Sequence, residues 1–279
     1  MMNLAVNRFP APAKLNLMLH ITGRRDDGYH LLQTVFQFLD YGDELGFEVL
    51  ESGEIENSTP PAGVAHDDDL IVKAARLLQS DSGTRLGARI ELDKRLPMGG
   101  GLGGGSSDAA TTLVALNRLW GLEYSKQQLA DLGLQLGADV PIFVHGEAAW
   151  GEGVGEKLTR IELPERWFLV VRPDIHIETH KLFHDSELTR NCHPITIADF
   201  LAGSGENVFF PVVKRRYPAV AEIVDRLSAL GDVKLTGTGS CLFIAFEDEK
   251  RAQDAATKLP QGLDYFVARG VNRSPLYAV

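Results

Sequence analysis

Leu96-Pro97-Met98-Gly99-Gly100-Gly101-Leu102-Gly103-Gly104-Gly105-Ser106-Ser107-Asp108 decides how this chain is read. Six of the seven residues from Gly99 to Gly105 are glycine, a residue that fills no core and loses the most backbone freedom on folding. Glycine instead lets successive N–H groups converge on an anion. Upstream, Ile90 and Leu92 alternate with Arg89, Glu91 and Asp93, predicting a half-buried strand ended by Pro97. Downstream, Ala109, Leu113, Leu116 and Trp120 recur at helical spacing, with Ser106 or Ser107 placed to cap the first turn. Strand, glycine loop and helix N-terminus in succession make a phosphate site, because unpaired N–H groups and the positive end of the helix dipole meet there. A flexible linker fits poorly between a strand and a well-patterned helix.

Two familiar phosphate loops are excluded. A Walker loop needs Lys-Ser or Lys-Thr after its last glycine, and Gly105 is followed by Ser106-Ser107. Gly99, Gly101 and Gly104 do match G-x-G-x-x-G, a weak match in so glycine-rich a run. A dinucleotide fold also wants a second strand ending in an acidic residue about 20 residues on. Here the helix gives way at Gly121, and Ser125-Lys126-Gln127-Gln128-Leu129 opens another helix.

With 279 residues, the chain is long enough for two domains. No apolar run is long enough to span a membrane; Trp167–Val171 reads as a short buried strand. Met1–Val6 lacks the charged start and apolar core of a signal peptide. The two cysteines, Cys192 and Cys241, support neither a disulfide framework nor a cysteine metal site. Cytoplasmic residence is expected. A net charge of −10 argues against a nucleic-acid partner. Strands alternate with helices around Ala74–Gln79, Asp108–Trp120 and Lys126–Leu136, and the charged Glu156–Arg166 looks like a boundary. After it come strands at Trp167–Arg172, Leu242–Phe246 and Tyr265–Gly270, with helices near Ile197–Leu201, Ala219–Leu230 and Glu249–Leu259. That order fits an α+β second domain with an antiparallel sheet.

Pro-x-x-x-Gly-Leu-Gly-Gly-Gly-Ser-Ser resembles the second motif of the GHMP kinases, a superfamily of small-molecule kinases. Pro12-Ala13-Lys14-Leu15-Asn16-Leu17, followed by Gly23–His30, resembles the first motif of the branch that acts on a cytidine diphosphate sugar alcohol. Leu136-Gly137-Ala138-Asp139-Val140-Pro141 and Leu235-Thr236-Gly237-Thr238-Gly239-Ser240 match later signatures of that branch in order. The likeness runs from about Pro12 to Pro275. It implies an α+β protein of two-domain GHMP kinase architecture. A ribosomal-S5-like nucleotide-binding domain (1–160) would be followed by a ferredoxin-like domain (161–279). The implied reaction moves a phosphoryl group from ATP, with Mg²⁺, to a hydroxyl of the cytidine substrate, in a monomer or weak homodimer.

Residue by residue, pattern and resemblance differ in what they say. Leu15, Leu17, Leu19 and Ile21 form one apolar strand face, with Lys14, Asn16, Met18 and His20 on the other. Pattern alone makes Lys14 a solvent-facing lysine; the resemblance makes Lys14 catalytic and Asn16 substrate-binding. Asp139 could be a helix cap, and the resemblance makes it the aspartate that orients and deprotonates the acceptor hydroxyl. Tyr29 and His30 follow the Asp27-Gly28 turn signal. They could cover a core edge, but in the family they bind the cytosine end. Thr179 falls where the family has a substrate-contacting threonine. The resemblance assigns residues Pro97 to Ser107, that is Pro97, Met98, Gly99, Gly100, Gly101, Leu102, Gly103, Gly104, Gly105, Ser106 and Ser107, to the nucleotide. Ser106 or Ser107 is the nearest hydroxyl for Mg²⁺. His176, His180 and His184 recur every four residues without an acidic or cysteine partner, and read as a solvated helix or loop. Asp69 stands where related kinases carry an asparagine near adenine, which leaves that contact open. Sister kinases acting on homoserine or mevalonate, and a nucleotide sensor without turnover, are the alternatives. Gly28-Tyr29-His30 disfavours the first, the presence of Lys14 and Asp139 the second.

Overall fold

The computed structural model describes residues 6–26 and 28–278; Met1–Ala5 and Asp27, on which the leader and turn readings partly rest, lie outside them. The first half runs β1 (Asn7–Arg24), β2 (His30–Leu50), β3 (Ile55–Asn57), α1 (Leu70–Ser82), β4 (Gly87–Asp93), α2 (Gly104–Leu119), α3 (Lys126–Leu134), α4 (Val140–His145), β5 (Ala149–Glu152) and β6 (Lys157–Arg160). The second continues with β7 (Trp167–Arg172), α5 (Thr179–Phe183), α6 (Ile197–Leu201), α7 (Phe209–Arg216), α8 (Pro218–Leu227), β8 (Lys234–Leu235), β9 (Leu242–Phe246), α9 (Glu249–Ala256) and β10 (Asp264–Val271). The architecture is α+β, as the motif order implies.

A single sheet links the two halves. Its order is β3-β4-β2-β10-β7-β9-β8, with β1 and β5 also paired to β2, and β6 to β5. The joint is β10, which pairs with β7 along its length and with β2 at Gly270–Leu39 and Val271–Phe38. The 156–166 segment is therefore not a free linker, since β6 lies inside it and pairs with β5.

Helices α1, α2 and α4 bury Ile71, Leu78, Leu113, Leu116 and Phe143 against Phe36, Phe38 and Phe47 of the sheet. A second core packs α7, α8 and α9 on β7 and β9. Between them lies a seam core of Ala13, Leu15, Leu39, Leu96, Leu102, Phe168 and Phe243, drawn from both halves and from the glycine loop. Leu102 is thus an anchor that pins the loop at the seam.

β1 departs from the amphipathic strand of the pattern. Its pairing with β2 slips between Pro12 and Lys14, Asn16 and Met18, and Ile21 and Gly23. Each such bulge re-aims the side chains beyond it, so both faces of the strand become buried. Leu15 enters the seam core and Met18 joins Val35 and Trp150, while Lys14 and Asn16, only 3% and 4% exposed, are not solvent-facing at all.

Two further local expectations are corrected. The upstream strand stops at Asp93 rather than running to Pro97, and neither serine caps α2. The cap is Gly103, left-handed at φ 75°, and the helix starts at Gly104.

Phe143, 1% exposed, packs edge-on against Phe38 and lies beneath Gly103. Phe143→Ala is expected to destabilise the protein by about 3–5 kcal/mol, measured by denaturant unfolding at unchanged slope.

Candidate active site

The glycine loop is also a packing surface, which the sequence reading denied it. A Cβ on Gly103 would fall 2.7 Å from the Phe143 ring and 3.1 Å from the Lys14 stem, and one on Gly101 would fall 2.2 Å from the Thr236 carbonyl. Glycine here lets two backbones touch. The loop is stitched to the turn after β8 by Cys241 N to Gly100 O (3.1 Å) and Thr236 Oγ1 to Gly101 O (3.0 Å). At the start of α2 the N–H groups of Gly104, Gly105 and Ser106 precede the first possible intrahelical bond, which Ser107 N makes to Gly103 O at 2.8 Å.

Next to this helix end sits Lys14. Its ammonium donates to Asn16 Oδ1 (2.5 Å) and Gly101 O (3.1 Å) and pairs with Asp139 Oδ2 (3.2 Å). Asn16 is fixed in turn, its amide donating to Thr34 Oγ1 at 2.8 Å and its backbone N–H to Thr236 Oγ1 at 3.0 Å. Asp139 precedes α4 without a side-chain capping bond and is 37% exposed. Its carboxylate is oriented by Lys14, not consumed as a cap.

Behind the loop is a charged group that no spacing in the sequence announces. Lys94 Nζ bonds Asp43 Oδ2 (2.6 Å) and Asp108 Oδ2 (2.7 Å), and Asp43 Oδ1 accepts from the backbone of Arg95 and Leu96. Burial alone would lower Lys94, but the two carboxylates more than reverse this and hold it above its ordinary range. Burial pushes Asp108 up to about 7, with Lys94 opposing and Asp43 reinforcing the rise.

The far wall of the cleft holds Tyr29, 65% exposed, and His30, whose ring stacks on Phe183 at 5.0 Å and 28°. Burial, and then the charges of Arg190, Arg24 and His184, lower His30 below its ordinary value, so it is a neutral imidazole at pH 7, one nitrogen donating and one accepting. Thr179 Oγ1 lies 2.8 Å from Thr238 Oγ1 across the opening. His180 and His184 are exposed, as a solvated helix or loop implies, and they also line the cleft. Phe183 was missed, since a lone phenylalanine in a polar segment gives no signal. Among the described residues no group of three or more His, Cys, Asp or Glu could hold a metal.

These parts enclose one cleft of about 1300 Å³, above the roughly 300–1,000 Å³ typical of a single-ligand pocket and large enough for two substrates. Lys14, Asn16, Tyr29, His30, Thr179 and Asp139 all line it. So do the loop residues from Pro97 to Ser106, except Leu102, which is in the seam core. Ser107 is fully buried and its Oγ has no partner. Asp69 caps α1 with Oδ1 on Ile71 N (2.9 Å) and takes Asn57 Nδ2 on Oδ2 (2.7 Å), so both its oxygens already serve the fold.

Residues 69–147 match the GHMP kinases N terminal domain and residues 191–264 the GHMP kinases C terminal domain. The chain belongs to the GHMP kinases. The 4-diphosphocytidyl-2-C-methyl-D-erythritol kinase of Ectopseudomonas mendocina is 56% identical over 96% of this chain and 92% of that protein. That of Xanthomonas axonopodis pv. citri is 56% identical, again over 96% and 92%. A crystal structure of 4-(cytidine 5'-diphospho)-2C-methyl-D-erythritol kinase superposes with a TM-score of 0.82 at 34% identity, covering 95% of this chain and 99% of that one. Within the GHMP kinases, the chain belongs to this family of 4-diphosphocytidyl-2-C-methyl-D-erythritol kinases.

Asp108 gives a pH signature. Between pH 3.8 and about 7 the folded protein keeps a proton that the unfolded chain has released, so this group's contribution to stability falls as pH rises through that window. Asp108→Asn cannot titrate. Its loss of unfolding free energy between about pH 5 and about pH 8 should be smaller than that of the unsubstituted protein in chemical denaturation. An equal or larger loss would contradict the assignment.

Proposed function

We infer that this ATP-dependent kinase transfers the γ-phosphoryl group to the 2-hydroxyl of 4-diphosphocytidyl-2-C-methyl-D-erythritol, in the methylerythritol phosphate route to isoprenoids. The supporting observation is Lys14, buried and held between the glycine loop and the Asp139 carboxylate. ATP lies with its phosphates on the backbone N–H groups at the start of α2, and the acceptor hydroxyl lies against Asp139. Phosphoryl transfer asks mainly for positioning and charge stabilisation, not a strong base. Asp139 orients the hydroxyl and accepts its proton as the new P–O bond forms, while ADP leaves. Lys14 holds that carboxylate in place and faces the charge developing on the transferring group.

At the other end, Tyr29 and the neutral His30 take the cytosine by ring contact and by hydrogen bonds to its polar edge, with Phe183 as a further ring and Thr179 and Asn16 nearer the diphosphate and sugar. Magnesium, when bound with ATP, would offset the phosphate charge. It needs few protein ligands because phosphates and water supply the rest. Ser106 fits as one of them, since it lines the cleft at the start of α2. The enclosed Ser107 does not. We place the domain division near residue 160, and the protein in the cytoplasm as a monomer or weak homodimer; no described helix is long and apolar enough to cross a membrane.

ADP release measured in parallel with 4-diphosphocytidyl-2-C-methyl-D-erythritol, homoserine and mevalonate tests the substrate, with turnover expected on the first alone. Turnover on either of the others instead would assign the chain to a sister activity. Asp139→Asn keeps the shape but not the base. It should lower kcat by roughly 10²–10⁴-fold with both KM values little changed, and a near-normal kcat would remove Asp139 from the reaction.

A further inference from the structure

The wall behind the Phe183–His30 ring pair contains a buried carboxylate with three hydrogen-bond donors. Asp185 is 1% exposed. Its Oδ1 accepts from Glu187 N (2.9 Å) and Arg215 Nη2 (2.7 Å), and its Oδ2 from Arg216 Nε. The backbone N–H of Glu187, and then Arg216, hold its carboxyl below the usual range despite burial. Arg190 braces the same segment from the other side, donating to the carbonyls of Phe183 and Asp185, both at 2.7 Å, and of Leu188 at 3.1 Å.

A buried ion pair is weak evidence for stability, because desolvation offsets most of the attraction. Here it fixes a place. The segment after α5 has no regular secondary structure until α6, and Phe183, the last residue of α5, stands at its edge against His30. Helix α7 locates that ring twice: Phe209 packs edge-on against it at 4.9 Å, and Arg215 and Arg216 grip Asp185 two residues further on.

We propose that Asp185, gripped by Arg215 and Arg216 and braced by Arg190, is a positioning residue that sets the Phe183–His30 ring pair for the pyrimidine end of the acceptor. This rests on the cytidine reading of the far wall. Asp185 does not line the cleft and acts only through the ring pair, so its effect falls on one substrate only. Displacing a ring by a fraction of an ångström weakens recognition of that substrate and leaves the Lys14–Asp139 pair and the nucleotide end unmoved.

Steady-state kinetics of the full chain, with a melting temperature for each variant, test this. Asp185→Asn is expected to raise KM for the cytidine acceptor about tenfold or more, with kcat and KM for ATP within about twofold. Arg216→Lys keeps the charge but loses the Nε–H geometry. It is milder, stays informative if Asp185→Asn does not fold, and is expected to raise the same KM by about three- to tenfold. An unchanged acceptor KM in a folded variant, an equal rise in KM for ATP, or a fall in kcat alone would overturn the proposal; a merely structural residue gives the last of these. A wild-type protein that fails to phosphorylate the cytidine acceptor defeats the functional reading itself. An active wild type with an unmoved Asp185→Asn defeats only the positioning role.

Discussion

Taking the Lys14 ammonium out of water is unfavourable unless partners replace its hydration, and three separate parts of the chain are shaped to supply them. The bulges of β1 turn Lys14 and Asn16 inward together. Glycine at 101 and 103 lets the loop come close enough to offer the Gly101 carbonyl and to lie along the lysine stem. The turn before α4 leaves Asp139 uncommitted as a cap and delivers its carboxylate. With any of these missing, the lysine would be a buried charge short of a partner.

A chain of net charge −10 that takes two polyanionic substrates must reverse its field locally. It does so with few cations. The start of α2 contributes peptide dipoles and unpaired N–H groups. Lys14, its charge paired with Asp139, contributes N–H donors beside them, and Arg24 and Arg190 line the opposite end. Lys94 is near the loop but is neutralised by Asp43 and Asp108, so it supports the loop's underside and adds no net positive charge.

What was legible in the sequence follows from range. β9 at Leu242–Phe246 and β7 at Trp167–Arg172 are short apolar runs between turn residues, and pattern places both ends of each. The glycine loop is legible because strand, turn and helix signals are contiguous. Lys14 was illegible without the resemblance, because its burial arises from slips in strand pairing that leave no mark on alternation. The Asp43–Lys94–Asp108 group and the grip of Arg215 and Arg216 on Asp185 join residues far apart in sequence, and each member alone looks like a solvated charge. The cap of α2 was misread for a different reason. Serine normally wins at that position, but close packing on Phe143 demands a residue with no Cβ.

The most direct test of the Lys14 hub is a double-mutant cycle on kcat. If Lys14 works by orienting Asp139, the two act as one unit and their losses do not add. Lys14→Met combined with Asp139→Asn should then turn over about as slowly as the worse single variant, with KM for ATP little changed in all three. A double variant whose loss equals the product of the two single losses would show that the residues act independently, contradicting the central role given to their contact.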